Sequence, residues 1–303
     1  MRQRIGHGII NASRRLFAGT FVQRWRLTTF VYTRVFDAMY GKQDTTVQFR
    51  GAQFVMPTKD ITLTPSVMSG EFERYELDIF ELACSAGATV VDIGANIGLY
   101  SVVAAKRIGP SGRVYAFEPV PENIAFLRKN LEVNGVADRV AVQEAAAGEA
   151  DGELEIFLSD RQIGTHSAAK LAGAGGSSVK VPMRSVDTFV SNNGVNRVDV
   201  VKIDVEGYDF QVLQGALQTL RRHKPTLFIE YSPALLEACG QDPDDFLGML
   251  AGIYEHCILV DEFRGLTKAI TPPDLSNMKI ATNVNLVLGE DLRNLGLPGL
   301  ANS

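Results

Sequence analysis

Cysteine is scarce in this chain: only Cys84, Cys239 and Cys257 occur among 303 residues. They lie far apart and none stands in a Cys-x-x-Cys pair, which argues against a disulfide framework and against a thiolate zinc site. They are expected to be small buried residues of a protein in a reducing compartment. Apolar runs of about 18 residues are absent, so no helix is expected to span a membrane. The N-terminus lacks the continuous apolar core of a signal peptide. The expected location is cytoplasmic. Positive charge is also in short supply, with a net charge of −5. It is concentrated in residues 1–40, where seven arginines face one acid, Asp37, a local +6 that leaves −11 for the remainder. An acidic body of this kind excludes a long nucleic-acid track across it.

What is present begins with that basic arm. Its arginines alternate loosely with Ile9, Leu16, Phe17, Val22, Trp25 and Phe30. The pattern suits an amphipathic helix touching an anionic membrane surface, an organelle transit segment, or a helical arm packed on the body or on a second subunit of a homo-oligomer. Residues 46–49, 53–56 and 61–63 read as short strands of a small β unit. Residues 71–85 read as a helix with Phe72, Tyr75, Ile79 and Leu82 on one face. The expected organisation is therefore an extension over 1–69 and one domain over 70–303.

From residue 88 strands and helices alternate. Strands are expected at 89–93, 113–118, 140–144, 153–158, 179–183, 198–204 and 226–231. Helices are expected at 97–107, 121–134, 208–221, 233–239 and 243–253. Two last strands, near 257–261 and 283–288, have no helix of useful length between them and are expected to pair antiparallel. Residues 159–178, rich in Ser, Gly and Ala, read as a loop or lid. The fold class is α/β, a mostly parallel sheet with helices on both faces and an antiparallel last strand.

The strongest chemical signal is Asp92-Ile-Gly-Ala-Asn-Ile-Gly98, where the first strand of this series meets its helix. Gly94 allows the turn, and Gly98 allows the helix to pack closely. Asp92 is a candidate neighbour for a positively charged ligand group. A pyrophosphate fingerprint would need glycine at 94, 96 and 99, but Asn96 and Leu99 stand there, which disfavours NAD. Glu118, before Pro119, ends the next strand and can accept hydrogen bonds from the hydroxyls of a nucleoside ribose. Glu144 and Ala145 end the third strand and would border the base. Asp204 and Glu206 follow the strand at 198–204 and would share a face in extended backbone. Glu230 ends the strand beside them.

Asp92-Ile-Gly-Ala-Asn-Ile-Gly98, Phe117-Glu-Pro119, Asn130 with Asn134, Lys202-Ile-Asp-Val-Glu-Gly207 and Phe228-Ile-Glu230 together resemble the FkbM family of methyltransferases, over about residues 70–290. The resemblance implies a Rossmann-like class I methyltransferase fold and S-adenosyl-L-methionine as cofactor. It also implies O-methylation of a small molecule, sugar or glycan. Cofactor contacts would come from Asp92, Gly94, Asn96, Gly98, Glu118, Pro119, Glu144, Ala145 and Asp204. The family often carries Glu where this chain has Asp209.

A hydroxyl becomes a good nucleophile only as a base removes its proton. Asp204 and Glu206 are candidates for that base, Glu230 for orienting the acceptor, and His166 for a second base. His7, His223 and His256 lack acidic company. Three carboxylates could instead hold Mg²⁺, an oxygen-seeking ion, or serve only to cap a helix near Gly207. A non-catalytic nucleoside-binding protein and a methyltransferase acting on a macromolecule are the competing functional readings.

Overall fold

The computed structural model describes residues 44–57, 60, 62–158, 177–262, 264–277, 280, 283–290 and 292. These fall into two compact units, one ending at Phe72 and the other beginning at Glu73. The arm over 1–40, most of the stretch 159–178 and His166 lie outside the described residues.

In the first unit, β1 (Thr45–Phe49) and β2 (Ala52–Met56) form the expected antiparallel hairpin, Thr45 opposite Met56. Arg50 and Gly51 make the turn with left-handed backbone. Alternate residues Val47 and Phe49 are buried, the period-2 burial of a one-sided strand. The strand expected at 61–63 is not observed, because Leu63 starts a helix, α1 (Leu63–Ser69). The Asp60 carboxylate stabilises that start, accepting from the backbone N–H groups of Thr62 at 2.8 Å and Leu63 at 2.6 Å.

The second unit opens with α2 (Arg74–Ala83). Its buried residues are Glu76, Leu77, Ile79 and Phe80. Leu82, expected on the inner face, is 48% exposed. The buried side is displaced toward the acid Glu76, which apolar periodicity cannot reveal.

The alternation then follows the sequence closely: β3 (Thr89–Ile93), α3 (Leu99–Ile108), β4 (Arg113–Phe117), α4 (Pro121–Val133), β5 (Val140–Gln143) and β6 (Ala146–Ala147). There follow β7 (Gly152–Phe157), β8 (Ser178–Arg184), α5 (Val186–Asn192) and β9 (Val200–Ile203). The helix expected over 208–221 is two, α6 (Asp209–Gly215) and α7 (Leu217–His223), broken at Ala216. A Cβ at Gly215 would lie 1.9 Å from the Gly148 carbonyl oxygen, so the break occurs where the helix meets neighbouring backbone. The chain continues with β10 (Thr226–Tyr231), α8 (Pro233–Ala238), α9 (Pro243–Ala251), β11 (Cys257–Asp261), β12 (Leu266–Ile270), α10 (Pro272–Asn277) and β13 (Val284–Leu288). Helix α5, strand β12 and helix α10 had no sequence reading.

The main sheet has eight strands in the order β5-β4-β3-β9-β10-β13-β11-β12. Strands β5, β4, β3, β9 and β10 run parallel. β13 inserts antiparallel between β10 and β11. This is the expected Rossmann-like sheet with a reversed late strand, extended at its edge by β12. A second sheet, β6-β8-β7, lies beside the loop that follows β5.

Register sorts the main sheet into two faces. Val91, Phe117, Val201, Ile203, Leu227, Ile229, Leu286 and Leu288 belong to one continuous core, in which Phe189 of α5 meets the Phe117 ring edge-on at 5.1 Å. On the opposite face Asp92 pairs with Lys202 and Lys202 with Phe228. There Phe80 of α2 packs on Phe228 at 5.2 Å and on Tyr100 of α3 at 4.8 Å. Cys84 and Cys257 are buried and Cys239 partly so, all as free thiols.

Candidate active site

The carboxyl ends of β3, β4, β9 and β10 form the place where a parallel sheet leaves room for a ligand. After β3 the chain turns through Gly94, with φ +82°, and the N–H groups of Gly94 and Ala95 both donate to the Phe117 carbonyl, at 3.0 and 2.9 Å. A Cβ at residue 94 would sit 1.9 Å from the Asp204 carbonyl oxygen, so glycine is required by the neighbouring strand end. Gly98 serves a different contact from the one expected: a Cβ there would meet the Leu127 side chain of α4 at 2.5 Å, not the strand. Asn130 and Asn134 belong to this support. Asn130 Nδ2 donates to the Ile97 carbonyl at 2.8 Å, and Asn134 Nδ2 to the Asn130 carbonyl at 2.8 Å.

Glu118 is only 4% exposed. Its carboxylate accepts from the Asn96 N–H at 2.8 Å, the Val120 N–H at 3.0 Å and Asn123 Nδ2 at 3.2 Å. Burial nevertheless raises its pKa to about 7. Asn96 holds its place with left-handed backbone, φ 50°. Asp92 is buried with a pKa raised to about 6, burial outweighing the 2.6 Å hydrogen bond from the Ser101 hydroxyl. Glu144 is solvent-facing and pairs with Arg128 at 2.6 Å, while Ala145 is buried.

The loop after β9 carries Asp204, Glu206 and Asp209. Asp204 donates its N–H to the Ile93 carbonyl at 3.0 Å, tying the ends of β9 and β3 together. Asp204 and Glu206 do not share a face by strand alternation, because β9 ends at Ile203 and Glu206 is left-handed, φ 52°. Asp209 closes this loop: its carboxylate accepts from the N–H groups of Val205 at 3.3 Å and Gly207 at 3.1 Å. Glu230, at the end of β10, accepts from Asn283 Nδ2 at 3.0 Å, and Ser232 Oγ donates to Asn283 Oδ1 at 2.7 Å.

Five participants, Lys202, Glu73, Glu76, Tyr100 and Asn285, had no role in the sequence reading. Lys202, 2% exposed, puts its ammonium 3.1 Å from Glu76 Oε1, 3.5 Å from Asp204 Oδ2 and 4.9 Å from the Tyr100 ring centroid. Glu76 is held from its other oxygen by Asn285 Nδ2. Glu73, with a left-handed φ of 37°, accepts from the Tyr100 hydroxyl at 2.6 Å. Lys202 stood inside a quoted motif, and a lysine within an apolar strand is the signal that could have marked it. Glu73 directly precedes α2 and Glu76 lies within it, and the pattern there offers no such signal.

Electrostatically the region is rich in acid and poor in cation. Burial raises Glu206 to about 9, with Asp204 and Glu230 adding to the effect. Burial raises Glu230 and Glu73 to about 8, and Asp209 to about 6. Glu76 is also raised, burial exceeding the opposing pull of Lys202. Burial draws Lys202 toward neutrality, but the surrounding carboxylates outweigh it and hold its pKa well above the ordinary value. Three residues of this group, Glu73, Asn96 and Glu206, sit in left-handed backbone, and such strain concentrates where a site is built. Among the described residues no set of three or more His, Cys, Asp or Glu is arranged to hold a metal ion.

The sheet order, the reversed β13 and the glycine turn facing a buried acid define a class I methyltransferase fold. Residues 92–257 match the methyltransferase FkbM domain, and the chain belongs to that family. Methyltransferase 1 of Beauveria bassiana is 27% identical over 145 residues, covering 42% of this chain and 57% of that protein. The hexuronic acid methyltransferase AglP of Haloferax volcanii is 28% identical over 132 residues, 43% of this chain and 50% of that protein. The 2-O-methyltransferase NoeI of Sinorhizobium fredii is 25% identical over 157 residues, 47% of this chain and 63% of that protein. The matches thus span 50–63% of the length of these curated relatives. A crystal structure of methyltransferase FkbM from Methylobacillus flagellatus KT aligns over 86% of this chain and 59% of that one, with a TM-score of 0.41 and 16% identity.

Proposed function

We propose that this protein is an S-adenosylmethionine-dependent O-methyltransferase acting on a hydroxyl of a small molecule, sugar or glycan. The observation that carries the reading is the excess of buried and half-buried carboxyl groups, Asp92, Glu118, Asp209, Glu206 and Glu230, over cations at the carboxyl ends of β3, β4, β9 and β10. S-adenosylmethionine brings a sulfonium and an ammonium, two positive charges that such an environment favours. The same environment repels a pyrophosphate, which adds to Asn96 and Leu99 as an argument against NAD. Asn96 Oδ1 and Asn123 Oδ1, beside Glu118, are buried acceptors that no donor among the described residues satisfies, and a nucleoside carries donors. The family supports methyl transfer; one relative is named a hexuronic acid methyltransferase and another a 2-O-methyltransferase.

When bound, the cofactor supplies an activated methyl group. The chain's own residues have three tasks. Glu118 and Asn96 hold the nucleoside. Asp204, anchored to β3 through its N–H and faced by Lys202, is the leading base for the acceptor hydroxyl. Glu206 and Glu230 hold their protons at neutral pH until a cation arrives, and then become acceptors that orient the hydroxyl.

Calorimetric titration with S-adenosylmethionine and with NAD, on wild type and Glu118→Ala, tests the cofactor. Micromolar binding of S-adenosylmethionine that the variant loses is expected; binding of NAD instead would sink the proposal. Transfer of a labelled methyl group to a panel of glycosides and polyols, abolished in Asp204→Asn, tests the chemistry.

A further inference from the structure

We infer that Asn123 is a recognition residue for the ribose diol of the cofactor, sharing with Glu118 a task that Glu118 cannot perform alone. The inference rests on the S-adenosylmethionine reading above. A carboxylate offers about four lone-pair positions to donors. Three of those on Glu118 are occupied within the protein: Val120 N–H and Asn123 Nδ2 on Oε1, and Asn96 N–H on Oε2. About one position is left, whereas a ribose presents two hydroxyl donors. The second hydroxyl needs another acceptor.

Asn123 supplies it. The residue is 3% exposed and stands in the first turn of α4, two positions after Pro121. Which end of its amide is which follows from chemistry: the atom 3.2 Å from a carboxylate oxygen must be the donor nitrogen. The other atom is therefore the oxygen, and it has no donor among the described residues. A buried acceptor without a donor is costly, and two of them flank the one buried acid expected to meet a sugar. Of these, Asn96 is partly exposed and Asn123 is enclosed. Asn123 thus both aims Glu118 and offers the acceptor that completes the pair.

The test is a cycle of ligand and residue changes, read by calorimetry on the full chain. Wild type, Asn123→Leu and Asn123→Ser are titrated with S-adenosylhomocysteine and with its 2′-deoxy and 3′-deoxy forms. Wild type is expected to discriminate by about 3- to 10-fold at the hydroxyl held by the neutral Asn123 amide, and by about 10-fold or more at the one held by the Glu118 carboxylate. In both variants the discrimination at one hydroxyl should fall to near unity while that at the other persists. The serine variant keeps the test open if leucine prevents folding. Equal weakening of all three ligands would mean that Asn123 only props Glu118, and would overturn the inference. So would the same loss of discrimination in Asn96→Ala with none in the Asn123 variants. Wild-type protein that binds none of these ligands would remove the cofactor reading itself, a result visible before any variant is made.

Discussion

The two faces of the main sheet are made from the same strands and are buried alike, yet they are built on opposite principles. One presents Val91, Val201, Ile203, Leu227 and Ile229 to helices and holds itself together by apolar packing. The other presents Asp92, Lys202 and Phe228 in register, with Glu76, Tyr100 and Asn285 closing over the lysine. Central parallel strands are normally apolar on both sides. Asp92 and Lys202, paired across neighbouring strands two positions on from Val90 and Val200, break that rule on one face only. That face combines the packing of Phe80, Tyr100 and Phe228 with paired charges, and the pairs are incomplete because acids outnumber cations. The apolar face has no unmet requirement, and the charged face is short of positive charge.

The sharpest way to break this comparison is to remove the cation. Lys202→Met leaves buried Glu76 without its partner and should cost about 3–5 kcal/mol, measured by denaturant unfolding. Lys202→Met combined with Glu76→Gln should recover most of that loss, since neither charge then remains. Ile229→Ala on the apolar face should cost about 2–5 kcal/mol through the cavity it leaves, with no partner change able to restore it.

A second contrast lies in protons. Glu206, Glu230 and Glu73 have native pKa values of about 9, 8 and 8 against an ordinary 4.5. The native chain keeps protons that the unfolded chain releases above 4.5. Their contribution to stability is present at low pH and is lost as pH rises through 8 to 9. The melting temperature of the ligand-free protein should therefore fall between pH 6 and pH 9. Glu206→Gln with Glu230→Gln should flatten that slope, and Ile229→Val should leave it unchanged.

Binding should show the same asymmetry on a smaller scale. A cation entering the site lowers these pKa values, so S-adenosylmethionine should release protons on binding. S-adenosylhomocysteine, which lacks the sulfonium charge, should release fewer. Calorimetry in two buffers of different ionisation enthalpy gives both numbers, and equal release by the two ligands would refute the charge argument. The smallest expected effect is that of Glu230→Gln alone: a slight rise in ligand-free melting temperature together with reduced methyl transfer.

The fold was legible to an unusual depth where strands were short apolar runs bounded by glycine or proline. Strands 89–93 and 226–231 coincide with β3 and β10 because Gly94 and Pro225 punctuate them. Legibility failed where the deciding force was not local. Leu82 fits the apolar stripe of α2 but is exposed, since the helix rotates to bring Glu76 onto Lys202. Leu63 looked like a strand residue and begins a helix, under the influence of Asp60 three positions earlier. The helix over 208–221 divides at Ala216 where it meets the backbone near Gly148.

By itself the sequence determined the alternation of strands and helices, the glycine turn at Gly94 and the acids that end β4, β9 and β10. These depend on neighbours within a few residues, where propensity and spacing decide the outcome. The tertiary structure alone decided that Glu73, Glu76 and Tyr100 join Lys202, that Glu206 leaves the strand in left-handed backbone, and that Asp209 serves to close its loop. The cluster around Lys202 brings together residues about a hundred or more positions apart, Glu76 and Tyr100 among them. Their energetics come from burying charge beside charge, a term that exists only once the chain has closed around it.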